Sequence, residues 1–163
     1  MAATEKKNKA KKDPVKEYGR VVDAAELEAV NLIHMEFDVR PRYFTERDET
    51  QLSYTIDVDS QKYDEESGNA VAFISCAVGA HVEDEALLSF EGQYVVAYKV
   101  SEKCDHTAVE TFLKRVAVFA CYPYFRSVVA NLDWAAGTGI PPMPVHKEPK
   151  VQAKKEVEAV TEA

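Results

Sequence analysis

Cysteine is scarce in this 163-residue chain, and its three copies, at positions 76, 104 and 121, show no paired spacing. An odd count without a recognisable export signal predicts reduced thiols and argues against a disulfide-stabilised secreted scaffold. Cys104 precedes Asp105 and His106, but neighbours in sequence rarely converge into a catalytic set. The histidines lack zinc-ligand spacing, and no glycine-rich phosphate loop occurs. We therefore predict a protein that is not an enzyme and uses no metal or cofactor.

Long apolar runs and excess positive charge are also missing. No run of about 18 apolar residues is present, which predicts no membrane insertion. The lysine-rich N-terminus is not followed by the apolar stretch of a secretory signal. Acidic residues outnumber basic ones by 28 to 20, and the net charge is −8 at pH 7. Such an acidic chain argues against nucleic acid as a partner, and we expect a cytoplasmic protein.

Four stretches alternate or are continuously apolar in the manner of strands: residues 27–43, 52–59, 70–82 and 87–100. Two of them have one apolar and one polar face, as expected for half-exposed strands. Residues 70–82 are apolar on both faces, which predicts a central strand. Acidic turn residues occur at 64–69 and 83–85. Together these stretches predict a four-stranded antiparallel sheet.

Two helices are predicted after the sheet, which makes the fold class α+β. Thr107 and Glu110 have the spacing of a capping box, so the first helix should begin near Thr107. An apolar stripe then runs from Val109 to Ala120. Because proline has no N–H for the upstream helix, Pro123 should end that helix and open a second one that reaches Ala136.

The predicted elements carry more aromatic side chains than one small sheet and two helices can cover. The residues concerned are Tyr98, Phe112, Phe119, Tyr122, Tyr124, Phe125 and Trp134. Two interpretations remain open, and both can hold at once. The helices can be covered in an oligomer, or some of the rings can line an open groove for apolar partners.

At residues 119–132 the sequence Phe-Ala-Cys-Tyr-Pro-Tyr-Phe-Arg-Ser-Val-Val-Ala-Asn-Leu resembles the SecB-type protein-export chaperones. That family has an aromatic-Pro-Tyr-x-Arg element between two helices, matched here by Tyr122, Pro123, Tyr124 and Arg126. A Gly followed by a proline-rich exit corresponds to residues 137–144. Upstream, residues 52–59 resemble the family's second strand, and the resemblance spans roughly residues 27–146.

The resemblance implies a homotetramer built as a dimer of dimers and an ATP-independent holdase activity in protein transport and translocation. Unfolded preproteins would bind in apolar grooves and pass to the SecA motor. The residues that we predict for unfolded-polypeptide binding are Phe90, Tyr94, Tyr98, Tyr122, Tyr124, Phe125 and Trp134. The residues predicted for the SecA contact are Glu36, Asp38 and Glu91.

The sequence departs from the family pattern at both ends. We predict a disordered lysine-rich arm over residues 1–20, a SecB-like domain over 21–146 and a charged tail over 147–163. The tail carries lysine and glutamate in place of the family's apolar run. A SecB-like fold could also serve as a dedicated chaperone or adaptor for a single partner, for example an antitoxin, rather than as a general export factor.

Overall fold

A computed structural model describes residues 13–146. The elements are α1 (Pro14–Ala24), β1 (Ala25–Val39), the short α2 (Tyr43–Glu46) with a 3-10 turn (Arg47–Glu49), β2 (Gln51–Asp64), β3 (Asn69–Val82), β4 (Glu85–Val100) and α3 (His106–Ala136). The four strands form one antiparallel sheet in the order β1-β4-β3-β2. The predicted α+β class and four-stranded antiparallel sheet are therefore confirmed.

The two faces of the sheet differ in how they are covered. On the central strands β3 and β4, every second side chain is buried against the helices, from Ala70 to Ala80 and from Leu88 to Val100. The side chains between them form the outer face of the sheet, which no other described element covers. The core of the molecule thus lies on one side of the sheet, between the central strands and α3.

The strand β1 lies at one edge of the sheet and is only half covered. It pairs with β4 along its whole length, but its ladder is interrupted between Leu27 and Ala29 and again between Leu32 and His34. Leu27, Leu32 and Met35 point to the same side as the core residues opposite them, yet they are 44%, 39% and 44% exposed. The helix α3 crosses the sheet nearer β2 and β3, so this margin stays open.

The predicted break between two helices at Pro123 is wrong. A single helix, α3, runs through Pro123 and ends at Gly137, whose left-handed backbone (φ 64°) closes the last turn. Pro123 is exposed, so its ring lies on the solvent side of the helix. The cost is local, because the only helical hydrogen bond that the proline itself cannot donate is the one to the carbonyl of Phe119.

Replacing this proline should stabilise the protein. The substitution Pro123→Ala supplies the missing N–H without requiring a new backbone path, because the helix is already continuous. We expect the free energy of unfolding to rise by about 1 kcal/mol, the typical net value of one hydrogen bond. Urea denaturation measures it, with Pro142→Ala outside the helix as the matched control. A loss of stability in Pro123→Ala would show that the ring has a packing role.

An N-terminal helix replaces part of the predicted disordered arm. Residues 14–20 were expected to be disordered, but they form most of α1, and residues 1–12 lie outside the described part. Asp13 accepts a hydrogen bond from the Val15 N–H (3.1 Å), and Pro14 occupies the first helical position. Val21 is completely buried. The predicted SecB-like core therefore has a helical cover that the sequence interpretation left out.

A proline-rich segment follows α3, and we call residues 138–146 the strap. Ile140 and Met143 are buried, whereas Pro141, Pro142 and Pro144 are exposed. A contact at every third residue is the spacing of an extended proline-rich chain. The strap runs back along α3, where the Tyr122 hydroxyl donates a hydrogen bond to the Pro144 carbonyl. None of the helices within residues 13–146 is long and apolar enough to cross a bilayer.

Candidate functional site

A chain of aromatic rings links β2, α3 and the strap. Tyr54 on β2 lies 6.4 Å from Tyr122 on α3, measured between ring centroids. The ring of His146 in the strap then lies 5.2 Å from Tyr122 and 5.1 Å from Phe119. Tyr54 and Phe119 are each 38% exposed, whereas Tyr122 is buried between them. The outer members of this cluster therefore form part of the molecular surface.

Tyr122 is held in one orientation by its hydroxyl group. Burial raises the pKa of Tyr122, and Tyr54 raises it further, while Arg126 opposes this by lowering it. The hydroxyl consequently stays protonated at neutral pH and remains a donor to the Pro144 carbonyl. The ring is thereby fixed as one wall of the surface described next.

An open groove lies beside Tyr122, between α3 and the end of the strap. Its lining is Tyr122, Pro123, Arg126, Ser127, Ala130 and Val145, and its volume is 460 Å³. We call it the α3 groove. The groove is mainly apolar, and Arg126 is its one charged lining residue. Such a surface can take apolar side chains of an extended chain, and Arg126 can pair with an acidic side chain beside them.

Two of the seven residues predicted for polypeptide binding lie open to solvent near this groove. Tyr124 is 52% exposed and lies one helical turn before Ser127. Trp134 is 88% exposed and follows Ala130 by one turn on the same side of α3. An indole this exposed contributes nothing to the core of the single chain, so it is available for a partner.

The other predicted rings are core residues. Phe90, Tyr94, Tyr98 and Phe125 are at most 5% exposed, and Phe90 stacks on Phe125 with a centroid distance of 5.6 Å. In the single chain these four side chains do not line an open groove, and their role in polypeptide binding stays a prediction. Tyr122 is also buried, but its edge lines the α3 groove.

The three carboxylates predicted for a motor contact lie together on the outer face of the sheet. Glu36 on β1 is directly opposite Glu91 on β4, and Asp38 is opposite Ser89 on the same face. The Glu36 carboxylate lies 3.3 Å from Nε2 of His34. These carboxylates form an acidic patch on the outer face. Because like charges directly opposite each other destabilise a ladder, a basic group beside the patch would reduce the repulsion between Glu36 and Glu91.

Comparison with solved structures identifies the arrangement. The SecB-like chaperone Rv1957 of Mycobacterium tuberculosis, solved with a ChAD peptide from the HigA1 antitoxin Rv1956, matches with a TM-score of 0.64. The match covers 82% of this chain and 99% of the other at 15% sequence identity. This chain has the SecB-like fold. The resemblance recognised from residues 119–144 is confirmed at the level of fold.

Other comparisons add little to the SecB-like assignment. A Streptococcus agalactiae protein of unknown function aligns with a TM-score of 0.31 and 11% identity, covering 76% of this chain and 96% of its own. That score is too low to indicate a common fold. No protein-family model and no curated protein matches the sequence.

The sequence interpretation missed part of the exposed SecB-like surface. Tyr54 belongs to the apolar side of the alternating pattern of β2, but it lies near the sheet edge, where α3 covers it only partly. Phe119 was counted among the surplus rings without a role. The strap is the third omission, although the spacing of Ile140, Met143 and His146 among prolines was a usable signal.

Proposed function

We propose that this protein is an ATP-independent chaperone that holds non-native polypeptide segments on the α3 side of its SecB-like fold. The observation that carries this proposal is the α3 groove, with Tyr124 and Trp134 exposed beside it. The described helices and strands leave these rings without intramolecular cover. A protein that buries a full core and still presents such rings has apolar surface for a partner.

The physical character of the surface fits many clients rather than one small ligand. The groove is open to solvent, and Arg126 is the one charged residue in its mainly apolar lining. Apolar burial contributes about 25 cal/mol per Å² without directional requirements, so different apolar side chains can be accepted. The acidic surface keeps such a complex in solution.

Assembly and delivery complete the proposed export role. The open margin of β1, with Leu27, Leu32 and Met35, is suited to contact between copies in a homotetramer. The acidic patch of Glu36, Asp38 and Glu91 is suited to a basic surface of the SecA motor. In this proposal the protein works in the cytoplasm and hands unfolded preproteins to the translocation machinery.

A second candidate function is a dedicated chaperone for one partner, such as an antitoxin. It is favoured by the complex of the similar SecB-like chaperone with an antitoxin peptide. The two candidates share the groove but differ in selectivity. A dedicated chaperone would bind one apolar segment with an acidic side chain placed for Arg126 and would bind other unfolded chains weakly.

The holdase proposal is tested by light scattering of a chemically unfolded model substrate diluted into the protein. Stoichiometric wild-type protein should suppress aggregation. Trp134→Ala and Tyr124→Ala should each raise the concentration needed by about tenfold, since losing one aromatic contact costs on the order of 1–2 kcal/mol.

The matched control is Phe44→Ala, because Phe44 is 53% exposed on α2 and does not line the groove. It should act like the wild type. If Phe44→Ala and Trp134→Ala lose activity equally, the groove is not the binding surface. If the wild type leaves aggregation unchanged but forms one tight complex from a peptide set, the dedicated role replaces the general one.

A further inference from the structure

One line of side chains on α3 faces the strap. Its members follow one another at helical spacing, so they lie on the same face of the helix: Tyr122, Arg126, Ala130 and Asp133. At roughly 1.5 Å per residue, the line extends over about 16 Å of the helix axis. It forms the α3 side of the seam between the helix and the strap.

The strap is fastened at the two ends of this line but not in its middle. At one end the Tyr122 hydroxyl donates a hydrogen bond to the Pro144 carbonyl. At the other end the Asp133 carboxylate accepts a hydrogen bond from the Ile140 N–H (2.8 Å). The other two side chains of the line, between these points, are exposed. The middle of the seam is therefore accessible to a bound chain.

Two cavities lie along the seam, and both have Arg126 and Ala130 in their linings. The first is the α3 groove of 460 Å³, which extends to Val145 at the end of the strap. The second has a volume of 180 Å³ and extends to Met143 and the other buried residue of the strap. We call it the strap cavity. Its lining is apolar except for Arg126 and Asp133. The guanidinium of Arg126 thus belongs to two mainly apolar cavities of different size.

The positive charge of Arg126 has no ion-pair partner within residues 13–146. The remaining described arginines are all engaged. Four of them pair with carboxylates, namely Arg20, Arg40, Arg42 and Arg47. Arg115 lies over the ring of Tyr18, 5.7 Å from its centroid. An unpaired guanidinium is unexpected in a chain whose acidic residues outnumber the basic ones by 28 to 20.

Asp133 lines the strap cavity, but its carboxylate is engaged with the strap rather than with Arg126. It accepts hydrogen bonds from the Thr138 hydroxyl (2.6 Å) and from the Ile140 N–H (2.8 Å). A guanidinium has five N–H donors and no acceptor, and it pairs with a carboxylate through strong, often paired hydrogen bonds. A carboxylate on a bound chain would therefore supply the partner that the described residues do not provide.

We propose that Arg126 makes the seam selective for extended segments that carry an aspartate or glutamate between two apolar residues. In an extended chain every second side chain points to the same side, with a rise of about 3.3 Å per residue. An apolar, an acidic and an apolar residue at alternate positions then span about 13 Å, which fits between the two points where the strap is fastened. The larger apolar side chain enters the α3 groove, the carboxylate pairs with Arg126, and the smaller one enters the strap cavity.

This selectivity narrows the client class of the chaperone proposed above, and it rests on that function. A neutral residue at the central position leaves the two apolar contacts intact, so such segments bind less tightly but are still accepted. A lysine there brings two positive charges together in a mainly apolar site and weakens binding further. Apolar burial alone does not produce this order, because it does not depend on the sign of a charge.

The test measures the binding of three fluorescent peptides to the full-length wild-type protein by anisotropy. The peptides are identical except for a central glutamate, glutamine or lysine, with phenylalanine and leucine two positions away on either side. We expect the glutamate peptide to bind about fivefold more tightly than the glutamine peptide, as for one ion pair at an open site, and the lysine peptide to bind most weakly. The preference should shrink at high salt, because salt screens exposed charges.

The role of Arg126 is tested with the same peptides. Arg126→Gln should bind the glutamate and glutamine peptides equally, and its affinity for the glutamine peptide should match that of the wild type. Arg126→Lys should keep part of the preference, because it retains the charge but not the planar set of donors. Arg115→Gln is the matched control, since it removes the same charge from the same helix outside both cavities and should keep the full preference. Both arginines are exposed, so these variants should fold.

The selectivity and the chaperone function can fail separately. Equal wild-type affinities for the glutamate and glutamine peptides, or a preference that persists in Arg126→Gln, would overturn the selectivity and leave the chaperone function standing. If none of the peptides binds, the selectivity is overturned and the light-scattering experiment decides the chaperone function. If Arg126→Gln changes the sedimenting mass of the particle but not the peptide affinities, Arg126 serves a contact between copies and the proposal is wrong.

Discussion

The Phe125→Ala protein should be less stable than the wild type by about 3–5 kcal/mol, the range for removing a large aromatic ring from a packed core. Phe125 is completely buried, stacks on Phe90 at 5.6 Å and meets Tyr122 edge-on at 6.2 Å. Its removal leaves a cavity between α3 and β4 that neighbouring strands can fill only in part. Urea denaturation followed by circular dichroism measures the change.

The neighbouring residue is the matched control for this prediction. Tyr124→Ala removes a ring of similar size that is 52% exposed, so the free energy of unfolding should change by less than about 1 kcal/mol. The pair of variants therefore separates core from binding surface at adjacent positions. Equal losses in both would mean that Tyr124 is covered in the native particle, for instance by another copy.

The Asp133→Ala protein should lose about 2–3 kcal/mol and release the start of the strap. The Asp133 carboxylate accepts hydrogen bonds from the Thr138 hydroxyl (2.6 Å) and from the Ile140 N–H (2.8 Å). Thr138 is completely buried, so removing the carboxylate leaves its hydroxyl without this acceptor inside the protein. Hydrogen exchange of the Ile140 amide should accelerate strongly.

Asp133→Asn is the informative companion, because its amide oxygen can still accept both hydrogen bonds. It should cost about 1 kcal/mol or less and keep the Ile140 amide protected. Protection in Asp133→Ala equal to that of the wild type would show that the burial of Ile140 and Met143 alone holds the strap.

The sheet could be predicted from the sequence because period-two patterning is a direct consequence of pleating. The long central strands show it best, since β3 and β4 are buried on the core side at every second residue. The end of β2 was placed too early, at Asp59. A ladder irregularity between Val58 and Ser60 shifts the pattern, and the strand continues to Asp64.

The predicted helix break at Pro123 is wrong for a physical reason. Pro123 disfavours a helix by removing one hydrogen bond, but the apolar stripe on both sides of it packs against one continuous sheet surface. Tertiary packing outweighs the local cost when the proline ring faces solvent. Helix propensity alone does not indicate which way a proline ring faces, so it could not predict that the helix continues through Pro123.

The surplus of aromatic surface was overestimated because two covering segments were missed. Tyr18 on α1 lies 6.4 Å from Phe112, which in turn meets Tyr98 edge-on at 5.1 Å. The strap covers Tyr122 in the same way. With α1 and the strap in place, Tyr98, Phe112 and Tyr122 are buried. Tyr124 and Trp134 remain exposed.

The strand order has a consequence for synthesis on the ribosome. The strand β1 is translated first, but its ladder partner β4 is the last strand to emerge, after β2 and β3. The segment bearing Leu32 and Met35 must therefore wait for Tyr94 and Gly92, its partners on β4, before it can join the ladder. During that interval the nascent chain exposes an apolar, unpaired strand. The yield of folded protein in the cell should therefore depend on how quickly β4 is translated.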